Sequence, residues 1–181
     1  GDAIETFRHN HKGVKGKVAD LLELNPKDVE KDLDLNKIDV IVGGPPCQGF
    51  SLAGKRIVED ERNQLYKTFV NFVEHFKPKA FLMENVPNIM SMGKGAIKNQ
   101  IVKDFESLGY KVSSKILLAS DYGVPQNRKR AFFIGLLNDV EFDFPKPIFS
   151  SHKITSKEAI SDLPESGILD GTPYLCSIKS D

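Results

Sequence analysis

A β-branched run, Val40-Ile41-Val42, stops at Gly43-Gly44-Pro45-Pro46, and one of only two cysteines follows in Cys47-Gln48-Gly49-Phe50-Ser51. The run reads as a short buried strand, most readily a parallel one. Glycines end it, and prolines cannot donate to a ladder, so the chain must leave the sheet here. Cys47 is therefore expected on a stiff loop just past the carboxyl end of a strand. In open α/β sheets that end is where ligands bind. A lone cysteine is more often a small buried hydrophobe, but a Gly/Pro/Gln/Ser loop offers a thiol little apolar cover.

The rest of the chain alternates helical and strand signals, which argues for an α/β domain, a mostly parallel sheet with helices on both faces. Ile4 and Phe7 fit a short amphipathic helix ending near Gly13. Val14 to Leu22 reads as a short strand running into Asp20. Asn25-Pro26 is an N-cap followed by a first-turn proline, opening a helix through Leu33. Leu52 to Glu61 is polar and expected to be exposed and mobile. Leu65, Phe69, Val70, Phe72, Val73 and Phe76 stripe a helix over Arg62 to Phe76, a stripe that reads as core, not as a cofactor surface. Ala80 to Met83 is a second buried strand ending in Glu84-Asn85-Val86-Pro87. A helix over Lys94 to Leu108 closes on Gly109 as its C′ residue. Tyr110 to Leu118 and Ala131 to Leu137 are strands joined too briefly for a crossover, hence antiparallel. Residues 1–145 then form the main domain, and 146–181 a linker and the start of another region, with a short helix over Ser156 to Leu163 stopped by Pro164.

Bulk charge excludes little and supports little. Basic and acidic residues number 25 each, so any case for nucleic acid must rest on local chemistry. Two distant cysteines suggest thiols in a reducing compartment such as the cytoplasm. No apolar run is long enough to span a membrane. His9 and His11 lack partners of metal-ligand type nearby, so no metal site is expected. The chain opens inside what reads as an element and ends without a closing signal, as one piece of a larger enzyme would.

Three strand ends carry polar chemistry: Cys47, Glu84, and Gln126-Asn127-Arg128-Lys129-Arg130. A thiol, a carboxylate and two guanidinium groups make a nucleophilic site. A nearby cation favours the thiolate. Arg128 and Arg130 alternate, so an extended segment would turn both the same way. Taken singly, each has an ordinary reading: a packed thiol, a capping or ion-paired carboxylate, a solvated basic loop. A cysteine hydrolase would need a histidine base near Cys47; His9, His11, His75 and His152 are the only candidates, and none stands at a matching strand end.

Gly43-Gly44-Pro45-Pro46-Cys47-Gln48-Gly49-Phe50-Ser51, then Glu84-Asn85-Val86, then Gln126-Asn127-Arg128-Lys129-Arg130 resemble, in order and separation, three signature motifs of the C5-cytosine DNA methyltransferases. Ala159-Ile160-Ser161-Asp162-Leu163-Pro164 matches a further family segment. The resemblance implies a Rossmann-like S-adenosylmethionine-dependent methyltransferase fold, incomplete at both ends. It implies Cys47 as the nucleophile toward cytosine C6. Glu84 would engage N3 and the exocyclic amine, Arg130 the base O2, and Arg128 the base or the thiolate loop. Asn85 would tie the Glu84 segment to the Cys47 loop, and Gln48, Ser51, Asn85 and Gln126 would serve the substrate. Asp20 matches the acidic residue for the cofactor's adenine amine, with Leu21 beside the ring and Pro46 and Leu65 lining the pocket. The implied partners are double-stranded DNA, with its target base flipped out, and a second polypeptide supplying the family's glycine-rich opening motif and closing motifs. A bacterial restriction–modification setting is the expectation. A tRNA cytosine methyltransferase of the same architecture and a non-catalytic module are its rivals.

Overall fold

The computed structural model describes residues 2–35, 37–46, 64–149 and 151–162. They fall into two compact units: one up to Leu118 together with Lys129–Lys146, the other Ala119–Arg128 together with the residues from Pro147 onward.

The first unit is built on a four-stranded sheet in the order β1-β2-β4-β3. β1 (Val40–Gly43) and β2 (Ala80–Asn85) are parallel, with Val40 opposite Ala80 and Gly43 opposite Met83. α3 (Gln64–Phe76) lies between them in sequence, the helical crossover that a parallel pair requires. β4 (Lys129–Leu137) runs antiparallel to β2, pairing Glu84 with Phe132 and Asn85 with Ala131. β3 (Tyr110–Leu118) pairs antiparallel with β4 along its whole length. Among the described strands, then, one pair is parallel and two are antiparallel. The short β3–β4 connection enforces the antiparallel end.

The core lies on one face of this sheet. Phe81 of β2 stacks on Phe105, with ring centroids 4.0 Å apart. Phe69 meets both rings edge-on, at 6.3 and 6.1 Å. Phe69 belongs to α3 and Phe105 to α4 (Ala96–Glu106), so both long helices pack on the face carrying Phe81, Met83 and Phe133. Helices were expected on both faces; among the described residues these two share one, because the alternating apolar positions of β2 and β4 direct their largest rings to the same side. Gly135 makes this possible: a Cβ there would stand 2.0 Å from the Phe81 ring.

Several sequence signals act as expected. Asn25 caps α2 (Pro26–Asp32), its side chain accepting from Lys27 N. Gly109, at φ +92°, follows α4. α1 (Asp2–Asn10) ends shortly before Gly13, at φ +85°. Others do not. Val14 to Leu22 forms no strand: Lys15 bonds Leu33 O, Lys17 pairs with Asp32, and Asp20 Oδ1 accepts from Leu22 N at 2.9 Å, turning the chain. Of these bonds only the Asp20 turn is local; the two lysines reach the end of α2, and the segment pairs with no described strand. β1 was read as buried, yet Val40 and Val42 are exposed, because β1 has only β2 beside it among the described strands. α4 begins at Ala96, not Lys94, because Gly93, Lys94 and Gly95 all hold positive φ. The start of α3 at Arg62, the 52–61 stretch, and the Leu163-Pro164 helix stop lie outside the described residues. No helix among the described residues is long and apolar enough to cross a membrane.

In the second unit, a short helical turn (Ala119–Tyr122) opens the segment that joins β3 to β4. α5 (Ser156–Ala159) starts with a capping box in which Thr155 and Glu158 satisfy each other's backbone N–H groups.

Candidate active site

The sheet topology brings three motifs to one edge. β1 and β2 are parallel and end together, and β4 starts where β2 ends. Gly44-Pro45-Pro46, Glu84-Asn85 and Lys129-Arg130 therefore share the same sheet end. Cys47, Gln48 and Ser51 lie outside the described residues; the described chain approaches them at Pro46.

Glu84 stands on β2 opposite Phe132, and Arg130 lies two residues along β4, the diagonal position that long side chains reach across. Arg130 Nε meets Glu84 Oε1 at 2.7 Å. The pair is partly solvated, with a quarter of the Arg130 side chain and just over a third of that of Glu84 exposed. Arg130 is steadied by its own Nη1 donating to Lys129 O at 2.8 Å. The second Glu84 oxygen lies against the Gly44 backbone: a Cβ added to Gly44 would meet it at 3.3 Å. A glycine at 44 thus lets the loop leading to Cys47 run beside the carboxylate.

Asn85 points the other way, into the protein, and is buried. Its Nδ2 donates to Pro45 O at 2.8 Å, and its Oδ1 accepts from Val86 N at 2.9 Å. One amide thus bonds the Pro45 carbonyl beyond β1 and turns the chain after β2. Proline supplies no donor at 45 or 46, so side-chain bonds of this kind are what can fix the segment.

Beside this edge is an apolar cavity of about 240 Å³. Leu21, Gly43 to Pro46, Leu65, Thr68, Phe69 and Phe72 form its walls. Three of the four residues expected at the cofactor, Leu21, Pro46 and Leu65, face the same space. The fourth, Asp20, precedes Leu21, its Oδ1 engaged by Leu22 N. Thr68, Phe69 and Phe72 were not singled out. Their helix was read as core alone, and Phe69 serves both purposes, packing on Phe81 and walling the cavity. Gly43 admits that ring, since a Cβ there would stand 2.6 Å from it. Flat apolar walls closed by rings and prolines suit the adenine of S-adenosylmethionine.

Gln126 and Arg128 belong to the second unit. Ala119 N donates to Arg128 O at 2.9 Å, closing the 119–128 loop on itself, and Ser120 Oγ bonds Asn127 Oδ1 at 3.0 Å. Arg128 is the last residue of this closed loop, while Arg130 is already a β4 residue; the extended segment expected to carry both begins only at Lys129. Of the histidines, His75 pairs with Glu30 at 2.8 Å and His152 with Glu158 at 3.6 Å.

A sheet whose strand ends gather a carboxylate–guanidinium pair and a Pro-Pro turn beside an apolar cavity is an α/β fold with its candidate site at one sheet end. The family model for C-5 cytosine-specific DNA methylases matches residues 1–180, and the chain belongs to that family. It is 44% identical over 170 residues to the Type II methyltransferase M.DdeI of Desulfomicrobium norvegicum, covering 90% of this chain and 40% of that protein. With the Type II methyltransferase M1.HphI of Haemophilus parahaemolyticus it shares 40% identity over 164 residues, 89% of this chain and 44% of that one. It therefore spans less than half the length of these relatives. Among solved structures, one described as a DNA modification methyltransferase encoded within an E. coli prophage superposes with a TM-score of 0.64 at 35% identity, covering 82% of this chain and 42% of that chain. The Dnmt2 methyltransferase of S. pombe shares the fold, with a TM-score of 0.59 at 21% identity over 94% of this chain and 47% of its own.

Proposed function

We propose that this chain carries the catalytic segment of a DNA (cytosine-5-)-methyltransferase acting in a restriction–modification system. The observation that carries the reading is the Glu84–Arg130 pair, 2.7 Å apart and set against Gly44, three residues before Cys47. Cytosine C5 is a weak nucleophile. Addition of the Cys47 thiolate to C6 makes C5 electron-rich, and negative charge grows toward N3 and O2. Glu84 engages N3 and the exocyclic amine, and Arg130 meets O2; groups fixed before reaction stabilise such charge most effectively. Once C5 has taken a methyl group, loss of its proton to a base re-forms the C5–C6 double bond and expels the Cys47 thiolate. Leu21, Pro46, Leu65 and Phe72, with Asp20 next in sequence to Leu21, would hold S-adenosylmethionine, which would supply the electrophilic methyl group. Asn85 holds the Pro45 end of the loop. Gln48, Ser51, Gln126 and Arg128 are assigned to the substrate by their motifs. The target base must leave the duplex to be reached.

The decisive experiment is covalent trapping. The protein is incubated with S-adenosylmethionine and a duplex containing 5-fluorodeoxycytidine, with and without a polypeptide carrying the family's remaining motifs. Fluorine cannot leave C5 as a proton does, so an attacking enzyme stays attached. An adduct in the wild type that is absent in Cys47→Ala is the expected result. Adduct on a fluorinated tRNA but not on DNA would move the substrate to RNA, and binding of DNA with no adduct under either condition would overturn the catalytic reading.

A further inference from the structure

The loop bearing Gln126 and Arg128 is held by a second stretch of chain about thirty residues further on. The Asp121 carbonyl accepts from both Ile148 N and Phe149 N, at 3.0 Å each. The Asp121 carboxylate pairs with Lys153 Nζ at 2.8 Å, with Asp121 the more covered of the two. Pro125 O, immediately before Gln126, accepts from Ser156 Oγ at 3.1 Å. Gly123, at φ +86°, lies under the Phe149 ring, where a Cβ would stand 2.8 Å from the ring edge. These attachments lie within one compact unit and reach both the start of the loop and the residue before Gln126.

A ten-residue loop closed only at its ends would sample many shapes. Here one residue, Asp121, is gripped by its backbone and its side chain together, and Phe149 fills the space a side chain at 123 would need. We infer that Asp121, Phe149 and Lys153 are positioning residues: through them the stretch from 147 to 156 holds the 119–128 loop in the shape that presents Gln126 and Arg128 to the substrate. The inference rests on the functional reading above. It assigns to Lys153 and Asp121 no contact with the base; they act through Gln126 and Arg128. The physical logic is that of a supporting layer fixing the groups that meet the substrate, where small displacements cost rate.

The test pairs a reading of the loop with a reading of the chemistry, in the protein as described for trapping. Hydrogen exchange is followed at the amides of 119–128, and adduct formation is timed on the 5-fluorodeoxycytidine duplex. A partly exposed ion pair sets the scale, so Lys153→Ala and Asp121→Ala are each expected to speed loop exchange and slow trapping about fivefold. The charge-exchanged protein, Asp121→Lys with Lys153→Asp, should recover both. In a background carrying Gln126→Ala and Arg128→Ala, Lys153→Ala should slow trapping no further, because the residues through which it acts are gone. Unchanged loop exchange in Lys153→Ala, or equal slowing in both backgrounds, would overturn the inference while leaving a reactive wild type intact. A wild type that forms no adduct would overturn the functional reading and this inference with it.

Discussion

Arg130 Nε lies 2.7 Å from Glu84 Oε1, across a diagonal of the antiparallel β2–β4 ladder. Neither residue depends on a loop for its position: each leaves a strand whose register is fixed by buried neighbours, Met83 and Asn85 on one side and Ala131 and Phe133 on the other. The pair is thus placed by the sheet before any substrate arrives, as preorganised stabilisation of charge requires.

Glu84→Gln keeps the shape and removes the charge. Trapping on the fluorinated duplex should slow about 100-fold or more, with Arg130→Ala similar and the double variant no worse than about tenfold beyond either single one. Because the pair is partly solvated, thermal melts should move little, by no more than about 1 kcal/mol of stability. A large loss of stability with unchanged trapping would assign the pair to the fold instead.

Asn85→Ala removes the buried donor to Pro45 O. Loss of a buried hydrogen bond of this kind costs about 1–3 kcal/mol, to be read as a lower urea midpoint with an unchanged slope. Trapping should slow as well, since Pro45 lies two residues from Cys47. Stability lost without any change in trapping would limit Asn85 to a structural part.

Gly135→Ala would place a methyl 2.0 Å from a Phe81 ring that is fully buried and stacked on Phe105. The ring has no room to retreat, so destabilisation by about 1–3 kcal/mol is expected. Phe81→Leu in the same chain should recover part of it, giving a non-additive cycle by urea unfolding.

Burial pushes the Tyr110 phenol up to about 12, and its hydroxyl donates to Pro78 O at 2.8 Å. The folded chain holds this proton more tightly than the unfolded one. Its contribution to stability is therefore complete below the ordinary value of 10.0 and is lost as pH rises through about 12. Unfolding free energies measured from pH 9 to 12 should fall more steeply for the wild type than for Tyr110→Phe. Parallel slopes would show that the phenol is not the group responsible.

Phe72→Ala enlarges the apolar cavity beside Pro46 and Leu65. Calorimetric titration with S-adenosylmethionine should show about tenfold weaker binding, the scale of a lost ring contact with a flat ligand. Unchanged affinity would place the cofactor elsewhere.

Local signals were legible where a residue's own chemistry settles its conformation. Asn25-Pro26 opens α2, Gly109 follows α4, and the whole of β3 from Tyr110 to Leu118 could be drawn from the sequence, because capping bonds, glycine's access to positive φ and β-branched runs act over a few residues. The motif residues Glu84, Asn85 and Arg130 could be named as well, together with the family they indicate. What they do to one another could not. Glu84 meets Arg130 because β2 and β4 are antiparallel in one particular register, and a shift of one residue would turn one of them to the opposite face from the other. Val14 to Leu22 looks like a strand by pattern, yet a strand exists only with a neighbour to pair with, and here Lys15, Lys17 and Asp20 bond elsewhere. Phe69 and Phe72 read as core in a one-dimensional stripe; only the packing of α3 against β1 shows that part of the stripe walls a cavity. The sequence by itself determined the family, through its ordered motifs, and where most elements begin and end. Tertiary structure decided which residues share a strand end, which face they turn, and how a carboxylate, a guanidinium and a Pro-Pro turn come together, because those depend on pairing between residues 40 to 56 positions apart.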